Sequence, residues 1–307
     1  MKFALNIPLA KLVPEAIGSK AQAVRTMARA LEDAGFSACL TSEHPAPSSE
    51  WLRNDPAGHD CVDPLTALSF VAGATEKLHV FTNIYILPFR NPFLTAKAAA
   101  TLQVMSDNRL LLGVGVGYMK EEFEALGVEY SRRGALMDEA LETLRLAWKG
   151  GPVTKRGLNF NADAIEPRPL PDPAPPIWIG GGSDRAIERA AQYGDGWVPY
   201  FTVPTNDPVV RRSAVVDMDH FGEKVALLKD RRAELGRTGP FDIAVAPPYR
   251  PQEPGAANAQ RFLEEVDQLA EHGVNWIWTS VPARSLEFYL EIVRWFGEEI
   301  IAPYSKR

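Results

Sequence analysis

The sequence predicts an α/β protein in which eight strand–helix units close into a (β/α)8 TIM barrel, with residues 1–307 forming one domain. Three observations carry this. Short apolar runs alternate with amphipathic helical runs along the chain, and that alternation implies a parallel sheet with helical crossovers. Eight such units can be counted, the number at which the sheet closes on itself. A length of 307 residues suits one barrel, since the fold commonly takes about 250 residues and accepts insertions.

The first strand, KFALNIP at residues 2–8, leads to a helix that opens with Ser19 and Gln22 in a capping-box arrangement and stacks Ala23, Met27, Ala30 and Ala34 on one face. Gly35 ends it. The second strand, FSACLT from Phe36, is followed by a long proline-containing loop to about Asp63 and a helix through Thr75. LHVFTN from Leu78 is the third, with a helix near Phe93 to Met105. RLLLGV from Arg109 is the fourth, and GALMDEALETLRLAW follows it with Met137, Leu141, Leu144 and Trp148 aligned.

Residues 151–176 interrupt the pattern. PRPLPDPAPP holds six prolines in ten positions, and proline fixes φ and removes a donor, so this is an extended insertion. The repeat resumes with PIWIGGG and a helix from about Asp184, then GWVP from Gly196 with a helix from about Phe221 to Leu235. FDIAVAP with a helix near Asn258 to His272, and VNWIWTS with Leu286, Leu290, Val293 and Phe296 aligned, complete the set.

Composition limits the function classes. The 33 Lys and Arg against 39 Asp and Glu give a net charge of −6 without long blocks of either sign, which argues against nucleic acid and anionic membrane as partners. MKFALNIPLA is too short an apolar stretch for a signal peptide, and no run of about 18 apolar residues occurs. With only Cys39 and Cys61, the expectation is a soluble protein of a reducing cytoplasm. His44, His59, His79, His220 and His272 show no spacing suited to zinc, so no metal is expected.

Active sites of this fold lie where strands end, so the residues just after each strand share one face. TSEHPAP places Glu43 and His44 there after strand 2. A lone histidine is more often structural, yet its ordinary pKa of about 6.5 suits proton transfer. After strand 3, Asn83, Tyr85, Leu87 and Phe89 either line a flat ligand or pack the barrel. After strand 4, GVGVGY has strand–turn–helix context but lacks the G-x-G-x-x-G spacing of a nicotinamide site; its glycines would admit a ligand to the backbone of Gly115, Val116, Gly117 and Tyr118. After strand 5, Gly180, Gly181, Gly182 and Ser183 run into a helix, whose free N–H groups suit an anion such as phosphate; the alternative is a tight turn. Two glycine cradles and a histidine on one rim suggest an extended, flat, phosphorylated cofactor. Trp51, Tyr118, Trp197, Tyr200 and Phe201 are further candidates for an apolar pocket wall.

Taken together, TSEHPAP, DPLTAL, TNIYILPFRNPFLTAKAAATLQVMS, RLLLGVGVGYMKEEFEALGVEYSRRG and PIWIGGGSDRAIERAAQYGDGW resemble the luciferase-like flavin and deazaflavin oxidoreductases, the bacterial luciferase superfamily of TIM barrels. The likeness spans nearly the whole chain and is greatest to the subgroup that uses coenzyme F420. It implies hydride transfer between F420 and a small carbonyl or activated C=C substrate, with His44 and then Glu43 as proton carriers. An FMNH2-dependent monooxygenase is the alternative on the same cradle, and a non-catalytic flavin-binding barrel is the reading from another class. The resemblance also implies a cis peptide between Asn83 and Ile84 behind the cofactor ring, a cofactor cradle at Gly115 to Tyr118, and a homodimer, while the phosphate expected at Gly180 to Ser183 rests on the glycine turn itself. A glutamate tail on the deazaflavin would favour cations, for which Arg90, Arg132, Arg133 and Lys155 are candidates.

Overall fold

Parallel strands close into a ring in the computed structural model, which describes residues 1–54, 60–201 and 208–306. Around the ring run β1 (Lys2–Asn6), β2 (Ala38–Thr41), β3 (His79–Thr82), β5 (Leu110–Gly115), β8 (Ile177–Gly180), β9 (Gly196–Val198), β10 (Asp242–Val245) and β11 (Trp276–Thr279). β11 pairs back onto β1 with Lys2 opposite Trp276, and β3 pairs β5 with Val80 opposite Leu110, so neither edge is left open. β4 (Tyr85–Ile86) resumes the line of β3 beyond a break and pairs β5, Tyr85 opposite Val114. The break is the expected one: the Asn83–Ile84 peptide is cis.

Helix starts follow from local chemistry. The Ser19 hydroxyl accepts from the Gln22 N–H at 3.3 Å, and Asp63 from Thr66 at 2.8 Å with Pro64 in the first helical position. Asn91, Ser183, Asp217 and Ser285 cap later helices in the same way. Helices Lys20–Asp33, Pro92–Met105, Arg133–Lys149, Met218–Glu234 and Ala256–Glu271 match the periodic runs to within a few residues. In Leu286–Phe296 the buried stripe is Tyr289, Ile292, Val293 and Phe296, whereas Leu286 and Leu290 are only partly covered. The insertion is more ordered than its prolines suggest, because β6 (Val153–Arg156) and β7 (Asn161–Ile165) form an antiparallel hairpin ahead of the proline run. Among the described residues no helix is long and apolar enough to cross a membrane.

Two apolar layers result. Helices cover the outside of the ring through a large shared core. The interior is plugged by Ala4, Ala38, Leu40, Phe81, Leu111, Trp178, Val198, Ala244 and Trp276, with Trp178 edge-on to Phe81 at 5.0 Å and to Trp276 at 5.1 Å. Ile84 and Trp278 lie against this plug. They form a floor for whatever binds at the strand ends.

Candidate active site

The glycine repeat of GVGVG is a consequence of strand geometry. Alternate residues of a strand face the same way, so Leu111, Gly113 and Gly115 all face the barrel interior. A β-carbon on Gly113 would stand 2.5 Å from the Phe81 ring and 2.2 Å from the Thr82 carbonyl oxygen. One on Gly115 would stand 2.7 Å from Cγ2 of Ile84, and one on Gly180 would stand 2.5 Å from Cδ1 of the same side chain. The two cradles predicted from sequence therefore meet at Ile84. Their glycines make room for that side chain at the bulge, which in turn underlies the cleft. Gly117, at φ +77°, turns the chain out of the strand beneath Ile86 and Phe123.

Two adjoining cavities open at the strand ends. The smaller, about 360 Å³, is lined by Ile84, Ile86, Val116, Met137, Ile179 and Val198 on its apolar side, and by Asn83, Tyr118, Ser183, Arg189, Tyr200 and Ser213 among its polar groups. The larger, about 730 Å³, lies over the ends of β1, β2 and β11. Asn83, Arg250 and Trp278 border both.

His44 stands at the rim and lines neither cavity directly. Its Nδ1 is 3.2 Å from Oε2 of Glu122, and its Nε2 is 3.4 Å from the Tyr118 hydroxyl, which does reach the smaller cavity. Glu122 is 1 % exposed, and its other oxygen accepts the Ala46 N–H at 3.2 Å. An ionised carboxylate can only accept, so Nδ1 carries the proton on that side and Nε2 of a neutral ring faces the tyrosine as an acceptor. Trp51 packs edge-on against Tyr118 at 5.8 Å. Glu122 escaped the sequence reading, being one acid in the charged run MKEEFE. Its position on the first turn of the Lys120–Ala125 helix, directly after the cradle, was the available signal.

Several expectations need correction. Glu43 is not poised for proton exchange: it is 3 % exposed, Oε2 accepts from the Ile86 N–H at 2.6 Å, and the Arg90 guanidinium grips both oxygens. Burial pushes its carboxyl up, against the pull of Arg90. Glu43 thus anchors the bulge that carries Ile84. Arg90 is taken by this pair and lies 4.2 Å from the Tyr85 ring centroid, and Lys155 pairs with Glu142 at 2.6 Å, so these two charges are already met by carboxylates, whereas Arg133 lies over the Tyr130 ring and donates to the Tyr130 carbonyl. The Gly181 and Gly182 N–H groups are also committed, donating to Val198 O at 3.0 Å and Ser213 O at 2.7 Å. The donors left facing outward at this turn are those of Ser183 and the first helical residues, Asp184 and Arg185. Trp197 is fully buried, stacks on Phe221 and donates to Gly181 O, while Tyr85 and Phe89 belong to the core. Phe201 packs against Phe221, and only Tyr118 and Tyr200 of the named aromatics line the smaller cavity. His59 lies outside the described residues.

The parallel barrel thus carries a carboxylate-held imidazole at its strand ends, beside a cleft with an apolar side. The chain belongs to the luciferase-like monooxygenase family, whose model matches residues 1–269. It is 30 % identical over 174 residues to the F420-dependent hydroxymycolic acid dehydrogenase of Mycobacterium tuberculosis, covering 56 % of this chain and 47 % of that one. Among solved structures it superposes on a monooxygenase of Streptomyces bottropensis with a TM-score of 0.75, at 19 % identity over 99 % of this chain and 100 % of the other. An F420-dependent secondary alcohol dehydrogenase in complex with an F420-acetone adduct also gives 0.75, at 17 % identity over 98 % of each. Both structures are too distant in sequence to speak for more than the fold.

Proposed function

We propose that the protein transfers hydride between coenzyme F420 and a small substrate bearing a carbonyl or activated C=C group. The observation that carries the reading is the His44 relay, held by Glu122 and ending at the Tyr118 hydroxyl on the wall of the smaller cavity. The residues present fit a deazaflavin or flavin. Ile84 offers a flat apolar floor that a β-carbon on Gly115 or Gly180 would displace. At one end of the cavity, Ser183 and the N-terminus of helix Asp184–Tyr193 suit a phosphate, while Arg189 on the same wall is held by Asp138.

When bound, such a cofactor supplies the hydride-carrying carbon. The chain supplies the rest. Asn83, Ile84, Gly115, Val116, Gly117 and Tyr118 would hold the ring, and Gly180, Gly181, Gly182 and Ser183 the phosphate turn, with Ser183 the donor among them. A carbonyl that gains hydride must also gain one proton, and His44 exchanges it at Nε2 by way of Tyr118. Glu122 fixes the ring orientation through its contact with Nδ1.

The relative named for F420 dependence supports the deazaflavin over FMN. An FMNH2-dependent monooxygenase is the second reading, favoured by the family's own description. Titrating the purified protein with F420 and with FMN, followed by cofactor fluorescence, tests the choice. Tighter F420 binding and anaerobic turnover are expected. FMN-selective binding with oxygen-dependent turnover would overturn the reading in favour of the second.

A further inference from the structure

The larger cavity has an electrostatic character that nothing in the relay or the cradle uses. Among the described residues its charged lining consists of Lys11, Arg250 and Arg284 against a single acid, Asp60. That excess of cations is set in a chain whose net charge is −6. Lys11, Arg284 and Asp60 are exposed at the mouth. Arg250 sits deeper, where the two cavities join beside Asn83 and Trp278.

Among the described residues, no carboxylate pairs with Arg250. Its Nη1 donates to the Ser280 hydroxyl at 3.2 Å, and the guanidinium lies 5.8 Å from the Trp278 ring centroid. Burial alone lowers its pKa, with no acid pulling the other way. A guanidinium nevertheless keeps its proton at all ordinary pH, so this is a cation whose lost hydration no acid among the described residues offsets. Compare Arg90, equally withdrawn from water but gripped by Glu43. A planar fork with most of its five donors unused matches a planar, bidentate acceptor of one charge.

We propose that the larger cavity is the substrate lobe and that Arg250 anchors the carboxylate of an anionic substrate, with Arg284 and Lys11 drawing the anion in at the mouth. One deep guanidinium neutralises one negative charge, which favours a carboxylate over a phosphate dianion. The bound carboxylate would sit at the junction of the cavities, and the rest of the substrate would extend past Asn83 toward the floor. The inference deepens the proposed function by naming a substrate class, and rests on that reading only in calling this lobe the substrate side.

Calorimetric titration of the full chain, with and without F420, tests it with three probes: 2-naphthoate, its neutral isostere 2-naphthamide, and 2-naphthyl phosphate. Naphthoate is expected to bind at least about tenfold more tightly than the amide, as a charge-assisted bidentate contact provides. Arg250→Gln should reduce that preference to below about threefold while F420 affinity stays within about threefold. Equal binding of acid and amide to the wild-type chain would overturn the proposal, as would a preference that survives Arg250→Gln. A collapse of F420 affinity would assign Arg250 to the cofactor instead, and tighter binding of the phosphate would overturn the carboxylate assignment. Should the glutamine variant fail to fold, Arg250→Lys keeps the charge without the fork, and an undiminished preference in it would count against the proposal. The acid–amide comparison without cofactor stands even if F420 does not bind, in which case the proposed function fails alone.

Discussion

Nδ1 of His44 lies 3.2 Å from Oε2 of Glu122, a residue 78 positions further along the chain. The pair joins the end of β2 to the helix that follows β5, and it leaves Nε2 of the imidazole toward Tyr118. A 1 % exposed carboxylate beside an imidazole holds one ring orientation.

Removing the imidazole separates proton exchange from binding. His44→Ala is expected to lower turnover by about 100-fold or more, with cofactor affinity changed less than about tenfold. Glu122→Gln should lower kcat by about tenfold or more at unchanged cofactor affinity, because the ring loses its orienting acceptor. Steady-state rates at saturating cofactor, read by the cofactor's absorbance, check both. If affinity collapses while saturated turnover survives, His44 is a binding residue.

Ile84 and Gly180 make a second, independent test. Gly180→Ala would place a methyl 2.5 Å from Cδ1 of Ile84, and overpacking of this kind destabilises by about 1–3 kcal/mol. Ile84→Ala alone should also weaken cofactor binding by removing the floor. The double variant is expected to recover part of the stability lost in Gly180→Ala, since the methyl then has space. Additive losses in a denaturant-melt cycle would show that the two side chains do not share that space.

Glu43 and Arg90 predict a stability defect with a structural cause. Arg90→Met leaves the Glu43 carboxylate buried with only the Ile86 N–H to hold it, and breaking a buried pair in this way destabilises by about 3–5 kcal/mol. Thermal melts should show a large drop for Arg90→Met and a smaller one for the pairwise replacement of Glu43 and Arg90 by Gln and Met. A double replacement as damaging as the single one would mean that the stranded charge is not the reason.

Glu32 sets an acid limit. Burial raises its pKa, but N–H groups of Lys77, Leu78 and Glu76 bonded to its carboxylate, with the Arg109 charge nearby, outweigh this and hold it below the usual range. A depressed native pKa gives stability that is present above the unfolded carboxylate range and is lost as pH falls through the native value. Glu32→Gln should therefore be less stable at pH 7, by no more than about 1 kcal/mol because solvent screens this partly exposed carboxylate, with the gap to wild type closing below about pH 4. Urea midpoints measured across that interval check the sign. A constant gap would mean that ionisation of Glu32 is not involved.

Strand and helix identity, the eightfold repeat and the rim position of His44 were legible in the sequence, because period-2 and period-3.6 apolar patterns and capping residues act over a few positions at a time. The family resemblance reached the same fold and the cis bulge at Asn83–Ile84. Tertiary structure alone decided the partners. Whether the carboxylate beside His44 is Glu43 or Glu122 depends on which side of β2 each acid meets, and β3 to β5 must close before Glu122 arrives there. The glycines at 115 and 180 read as open backbone until Ile84 is found filling the space between them. Gly181 and Gly182 read as free donors until β9 and Ser213 take their N–H groups. Arg250 carries no local signal at all, since what distinguishes it is the absence of a counter-charge among the described residues, a property of the packing and not of the neighbouring sequence. Hydrogen bonds and charge pairs form between residues far apart in sequence, so local pattern can place a side chain on the rim while only chain closure determines what it touches.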